Sequence, residues 1–263
     1  MNSPVYQDGV LAHGTDGERE RLRLLEELND PATVAVLEQL GVRADWHCVE
    51  AGAGHGSIAR WLAARCPEGR VTATDLDTAL LRESPVPANM TVARHDVTRD
   101  DFPADSQDLV HARALLGHLP DPGLTLGRMA GWLAPGGWLV VEDPTYLPAE
   151  ASPYPEFAGL LEACQRLLAR IHGTDHGWAR RIPAAMARAG LTDIGMTIRV
   201  AVCGTDPTED AFWRRCFAQA TPGLVATGLM TAEQIASAVA HLDDPAFADT
   251  AWMMVSCWGR RPS

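Results

Sequence analysis

The sequence predicts an α/β protein built on a doubly wound, mostly parallel sheet with helices on both faces. Two observations carry this expectation. From residue 46 short apolar runs alternate with segments of helical periodicity. A glycine-rich turn, Val49-Glu50-Ala51-Gly52-Ala53-Gly54-His55-Gly56, sits where the first run gives way to the first of those helices. Strands alternating with helices require right-handed crossovers, and these cover a parallel sheet on both sides.

Residues 18–28 place Leu22, Leu25 and Leu28 at helical spacing. Asn29-Asp30-Pro31 is expected to end that helix, with Pro31 opening a second one that Gly41 closes. HCVEA (47–51) reads as a buried strand, GSIARWLAARC (56–66) as a helix and RVTATD (70–75) as a strand. A short helix over 77–83 and strands over 90–95 and 108–112 follow, then a helix over 121–134 and a strand over 137–143. Residues 144–156 hold four prolines and read as a loop. Helices over 157–171 and 178–189 precede a strand-like run, 191–203. Helical segments over 207–220 and 231–242 and a strand over 250–259 complete the order. Residues 1–45 are expected to form a helical lid and 46–143 a nucleotide-binding core. Residues 144–263 supply cap helices and the final strands, all within one structural domain.

Acids outnumber bases 34 to 22, giving a formal charge of -12 with no basic run. That argues against nucleic acid, whose binding rests on Lys and Arg neutralising phosphates. The surplus favours solubility, or an acidic site for a cationic or amine substrate. Six scattered cysteines contain no C-x-x-C pair and suggest neither zinc nor a disulfide framework. The first residues lack the basic and apolar regions of a signal peptide, and no run approaches about 18 apolar residues. A cytoplasmic protein without a membrane span is expected.

Glycines at a strand end allow positive φ and close backbone approach, and the following helix presents unpaired N–H groups to a ligand. Gly54-His55-Gly56-Ser57-Ile58-Ala59 even satisfies the looser dinucleotide pattern. Glu50 bears on which nucleotide binds. An acid there repels a pyrophosphate but suits the ammonium and sulfonium of S-adenosylmethionine; pairing with an Arg is its bland alternative. Asp75, closing the second strand, stands where a carboxylate accepts ribose hydroxyls, with Leu76 placed to cover adenine. NAD enzymes carry an acid there too. Asp96 suits the exocyclic amine of adenine, or is simply a turn or cap aspartate.

Five segments occur in order over 49–143: VEAGAGHGSIARWLA, TATDLD, ARHDV, DLVHARALLGHLPD and LAPGGWLVVED. They resemble the successive motifs of class I S-adenosylmethionine-dependent methyltransferases, especially bacterial small-molecule enzymes of the natural-product type. The resemblance covers the middle of the chain closely and the flanks loosely. It implies a Rossmann-like seven-stranded sheet, mostly parallel with an antiparallel last strand, plus a helical lid and cap. It implies that Glu50, Gly52 and Gly54 surround the methionyl part, Asp75 and Leu76 the ribose and adenine, and Asp96 and Val97 the adenine. His111 would contribute mainly backbone contact near the methyl donor. Tyr6 and the 18–22 segment would close over the cofactor, with Arg21 meeting its carboxylate or forming an ordinary helix salt bridge.

Methyl transfer from a sulfonium is an in-line displacement with a good leaving group, so alignment dominates and no catalytic triad is needed. Candidate bases lie at the carboxyl edge of the sheet, where such folds bind ligands. His118 titrates near neutrality, and Glu142 or Asp143 could orient an amine, an indole N–H or a hydroxyl. Tyr146, Tyr154 and Trp178 suit a flat, partly apolar substrate, or serve as core. His172 and His176 have no further ligand nearby, so no metal is expected. The leading reading is methyl transfer to O, N or C of a small, aromatic or heteroaromatic metabolite. An NAD-dependent oxidoreductase and a non-catalytic cofactor-binding protein are the competing readings.

Overall fold

The computed structural model describes residues 16–263. Its sheet has seven strands: β1 (His47–Ala51), β2 (Arg70–Asp75), β3 (Met90–Arg94), β4 (Gln107–Arg113), β5 (Leu133–Thr145), β6 (Thr192–Cys203) and β7 (Asp249–Arg260). Their order is β3-β2-β1-β4-β5-β7-β6. The pairs β1–β2, β1–β4, β2–β3 and β4–β5 are parallel. β7 runs antiparallel, with Gly136 N–H donating to the Arg261 carbonyl and Arg261 N–H to that of Gly137. The expected doubly wound architecture is present, and the order reverses beside β1, where such sheets bind ligands.

The helices are α1 (Asp16–Gln39), α2 (Ser57–Arg65), α3 (Pro122–Trp132), α4 (Pro155–His172), α5 (Ile182–Arg188), α6 (Pro207–Ala226) and α7 (Ala232–Ala240). The break expected at Asn29-Asp30-Pro31 does not occur, and α1 runs through Pro31. Proline removes the bond to the carbonyl four residues back, here Glu27. Both residues are exposed, while Leu24, Leu25, Leu28, Val36 and Leu37 on either side of the proline stay buried and hold the helix in place. In the same way α6 continues past Pro222, because fully buried Leu224 anchors its last turn. The helix expected over 77–83 is only a 3-10 turn at Leu80–Arg82. The segment 178–189 begins as a 3-10 turn, Trp178–Arg181, before α5.

The described residues form two compact units that combine non-adjacent stretches: 16–28, 145–176 and 199–254 in one, and 29–144, 177–198 and 255–263 in the other. The first has an aromatic core in which Phe157, Phe212, Trp213, Phe217, Phe247 and Trp252 pack with leucines. The second has two aliphatic clusters, and strand alternation decides which residues enter each. Val49, Ala51, Val110, Ala112, Leu139 and Val141 enter one, while Cys48, Leu109 and Val140 enter the other. Glu50, His111 and Glu142 fall by the same alternation on the face of Cys48, Leu109 and Val140.

Candidate functional site

Register sets up the most polar part of the second unit. Glu50 on β1 lies opposite His111 on β4, and Arg113 on β4 lies opposite Glu142 on β5. All four share one face near the carboxyl ends of adjacent strands. His111 is fully buried, with Nδ1 2.6 Å from Glu50 Oε2 and Nε2 3.2 Å from Glu142 Oε2. Burial alone would lower the imidazole, but the two carboxylates outweigh it and raise it to about 9. It is therefore an imidazolium at neutral pH.

Glu142 accepts further hydrogen bonds from Thr33 Oγ1 at 2.6 Å and from Ser256 Oγ. Burial pushes its carboxyl up, yet His111, Arg113 and Ser256 together hold it down at about 2. Arg113 donates to Thr33 Oγ1 at 2.9 Å and to Asp30 Oδ1 at 2.7 Å, and Ser57 Oγ also reaches Asp30 at 3.1 Å. A continuous polar ribbon thus joins the inner half of α1, three strand ends and the start of α2.

The glycine loop leaves β1 directly beside this ribbon. Gly52, Gly54 and Gly56 have φ of 67°, 56° and 85°, in the left-handed region that disfavours other residues. A Cβ on Gly52 would press on Leu115 at 3.0 Å, and one on Gly56 would strike Leu81 at 2.6 Å. Ala53 N–H donates to the Thr74 carbonyl at 2.9 Å, and Gly54 N–H to Asp75 Oδ2 at 3.1 Å. Glu50 and Asp75 therefore flank the loop from neighbouring strands.

Asp75 Oδ1 also accepts the N–H of Asp77, and Leu76 follows it, half-buried. Asp96 accepts both the N–H and the hydroxyl of Thr98, the turn role weighed above, with buried Val97 between them. Burial works against the Asp96 carboxylate, but the Thr98 donors and Arg99 hold it below its ordinary value.

Arg21 belongs to the other unit, where its guanidinium forms a two-point ion pair with Glu18 at 2.7 and 2.8 Å. That is the helix salt bridge. Tyr6 lies outside the described residues. His118 ends a 3-10 turn, Leu116–His118, after β4.

Asp143 is 1% exposed, and neither carboxyl oxygen has a well-formed hydrogen bond; the indole nitrogen of buried Trp178 also lacks one. Burial, helped by the charge on Glu142, raises Asp143 to about 8 against the pull of the nearby Gly117 N–H and Trp178 indole. It is a neutral acid at pH 7. Tyr146 lies in the other unit, its ring 5.3 Å from His176 and at right angles to it. It borders a cavity of about 230 Å³ lined also by Ser152, Gln165 and Asp249. His176 Nε2 faces the Gln165 carbonyl.

His111 contributes its side chain rather than backbone alone, and Glu142 is not exposed as a base. A carboxylate with these partners and so low a proton affinity is a poor proton acceptor at neutral pH. Thr33, Asp30 and Ser256 complete the ribbon without any sequence motif to mark them, while Ser57 and Arg113 lie inside the quoted motifs without being singled out by them. Only Arg113 carried a signal, two residues beyond His111 on the same strand face.

Residues 15–192 match a family profile described as a methyltransferase domain. The chain belongs to this methyltransferase family. It is 32% identical over 158 residues to methyltransferase str3 of Strobilurus tenacellus, covering 57% of this chain and 53% of that protein. It is 28% identical over 207 residues to trans-aconitate 2-methyltransferase of Methylobacterium nodulans, covering 77% and 72%. The chain spans about half the length of str3 and of methyltransferase str2 from the same organism. Among solved structures, geranyl diphosphate methyltransferase in complex with SAM superposes with a TM-score of 0.57 at 17% identity, covering 94% of this chain and 92% of that one. That likeness shows the fold. Among the described residues, no helix is long and apolar enough to cross a membrane.

Proposed function

We propose that this member of the family transfers a methyl group from S-adenosylmethionine to O, N or C of a small, aromatic or heteroaromatic metabolite in secondary metabolism. The observation that carries the reading is the pairing of a left-handed glycine loop with carboxylates on both sides, Glu50 and Asp75. A pyrophosphate carrier needs donors and positive charge there. A phosphate-free nucleoside bearing an ammonium and a sulfonium suits acids instead, so the donor set fits this cofactor. The family match favours the same choice over NAD.

When bound, the cofactor supplies a methyl group on a positive sulfur, with a neutral thioether as leaving group. Gly52 and Gly54 let the backbone approach the methionyl part, and Glu50 holds its ammonium. Asp75 orients the ribose, Leu76 covers adenine, and Asp96 with Val97 reads its edge. Alignment of the acceptor then supplies most of the catalysis, on the order of 7–11 kcal/mol. Asp143, neutral and without a well-formed hydrogen bond beside Trp178, is suited to donate one to an acceptor heteroatom. His118 is the remaining base candidate. Trp178, beside Asp143, supports a flat acceptor, and the acceptor named for the Methylobacterium relative supports a small one.

Calorimetry with S-adenosylhomocysteine and with NAD tests the reading. Micromolar binding of the first and none of the second is expected; the reverse overturns it.

A further inference from the structure

Both nitrogens of the His111 ring face carboxylate oxygens, Glu50 on one side and Glu142 on the other. Only an imidazolium can donate to both, because a neutral ring must turn a lone pair toward one of them. Glu142 cannot swing away from this contact at low cost, since Thr33 and Ser256 hold its two oxygens from α1 and β7. Glu50 has the opposite situation. It ends β1 immediately before Gly52, and His111 is the side chain that fixes its Oε2.

We propose that His111, clamped between Glu50 and Glu142, is a positioning residue that fixes the Glu50 carboxylate for the cofactor ammonium, with Glu142 as its anchored counter-charge. This rests on the cofactor reading above but assigns a role to residues that do not touch the reacting atoms. The raised imidazole, at about 9, agrees with the geometry. The charged groups around the ring are Glu50 on β1, Glu142 on β5, and Arg113 on its own strand, itself paired with Asp30 of α1.

Loss of the ring proton turns a lone pair toward one of the two carboxylates and removes the positive charge that holds both, so the clamp on Glu50 loosens. Affinity for the cofactor product should therefore fall as His111 deprotonates. Replacing Glu142 by Gln removes one counter-charge, so the ring should lose its proton at lower pH and the fall should move with it. A merely structural role for the pair would lower thermal stability without moving that profile.

The test measures S-adenosylhomocysteine affinity by calorimetry from pH 6 to 10 in wild type and Glu142→Gln, with ¹⁵N NMR of the His111 ring in the same samples. The ligand's own amine titrates alike in both, so the difference between the proteins is the readout. The expected result is a lower-pH inflection in Glu142→Gln, matched in affinity and in NMR. His111→Asn should weaken binding about ten-fold at pH 7, the size of a hydrogen bond to a charged group. Should the variants fail to fold, wild type still decides, because linkage requires ligand to raise the His111 titration. An unmoved affinity profile in Glu142→Gln, or an unchanged His111 titration on adding ligand, would overturn the inference while leaving the function standing. No binding by wild type at any pH would overturn both.

Discussion

At the carboxyl end of β5, Glu142 on one face and Asp143 on the other are adjacent acids, each 1% exposed, held in opposite states. Glu142 meets Thr33, Ser256 and the His111 ring and is ionised down to about pH 2. Asp143 meets an apolar cluster in which the Gly117 N–H and the Trp178 indole are near but poorly aligned, and it keeps its proton up to about pH 8. Burial penalises both charges alike. The supply of donors separates them, and strand alternation decides which residue receives that supply. One acid becomes a fixed counter-charge and the other a hydrogen-bond donor.

The sharpest way to break this contrast is Glu142→Ala. It leaves the His111 and Arg113 charges without their shared partner, and the loss should reach about 3–5 kcal/mol in urea unfolding at pH 7. A cost near that of an exposed acid would show that the ribbon is not formed as described. Asp143→Asn probes the other face through pH. An acid with a raised value makes the fold less stable as pH climbs from its unfolded value of 3.8 toward 8, since the folded state holds the extra proton. Wild-type stability should therefore drop across that window, and the Asn variant should drop less. Parallel curves would mean that Asp143 is ionised. Glu142 gives the reverse slope, its contribution fading as pH falls from 4.5 toward about 2. Ser256→Ala removes only one of the Glu142 donors and should cost about 1.5 kcal/mol by the same unfolding assay.

The same contrast marks how far the sequence could be read. The strands HCVEA and RVTATD were legible to the residue, because apolar runs flanked by glycine and aspartate leave few alternatives. Glu50, the glycines and Asp75 were legible as a local constellation. The Glu142–His111 contact was not, since it depends on register between β4 and β5. Thr33 and Ser256 reach Glu142 from 109 and 114 residues away, and nothing near them in sequence announces it. Pro31 misled for a related reason. Its local preference argues for a break, but the buried apolar residues on either side of it hold the helix together. The Arg21–Glu18 ion pair, by contrast, was legible as an i,i+3 pairing on one helix.

The central claim is that carboxylates around a left-handed glycine turn make a seat for a positively charged, phosphate-free nucleoside. The most direct measurement is a crystal structure of the protein soaked with S-adenosylhomocysteine. The account predicts the amino acid part against Gly52 and Glu50, the ribose hydroxyls on Asp75, and adenine between Leu76 and Asp96. Density for that ligand elsewhere, or none beside the glycines at saturating concentration, would contradict it.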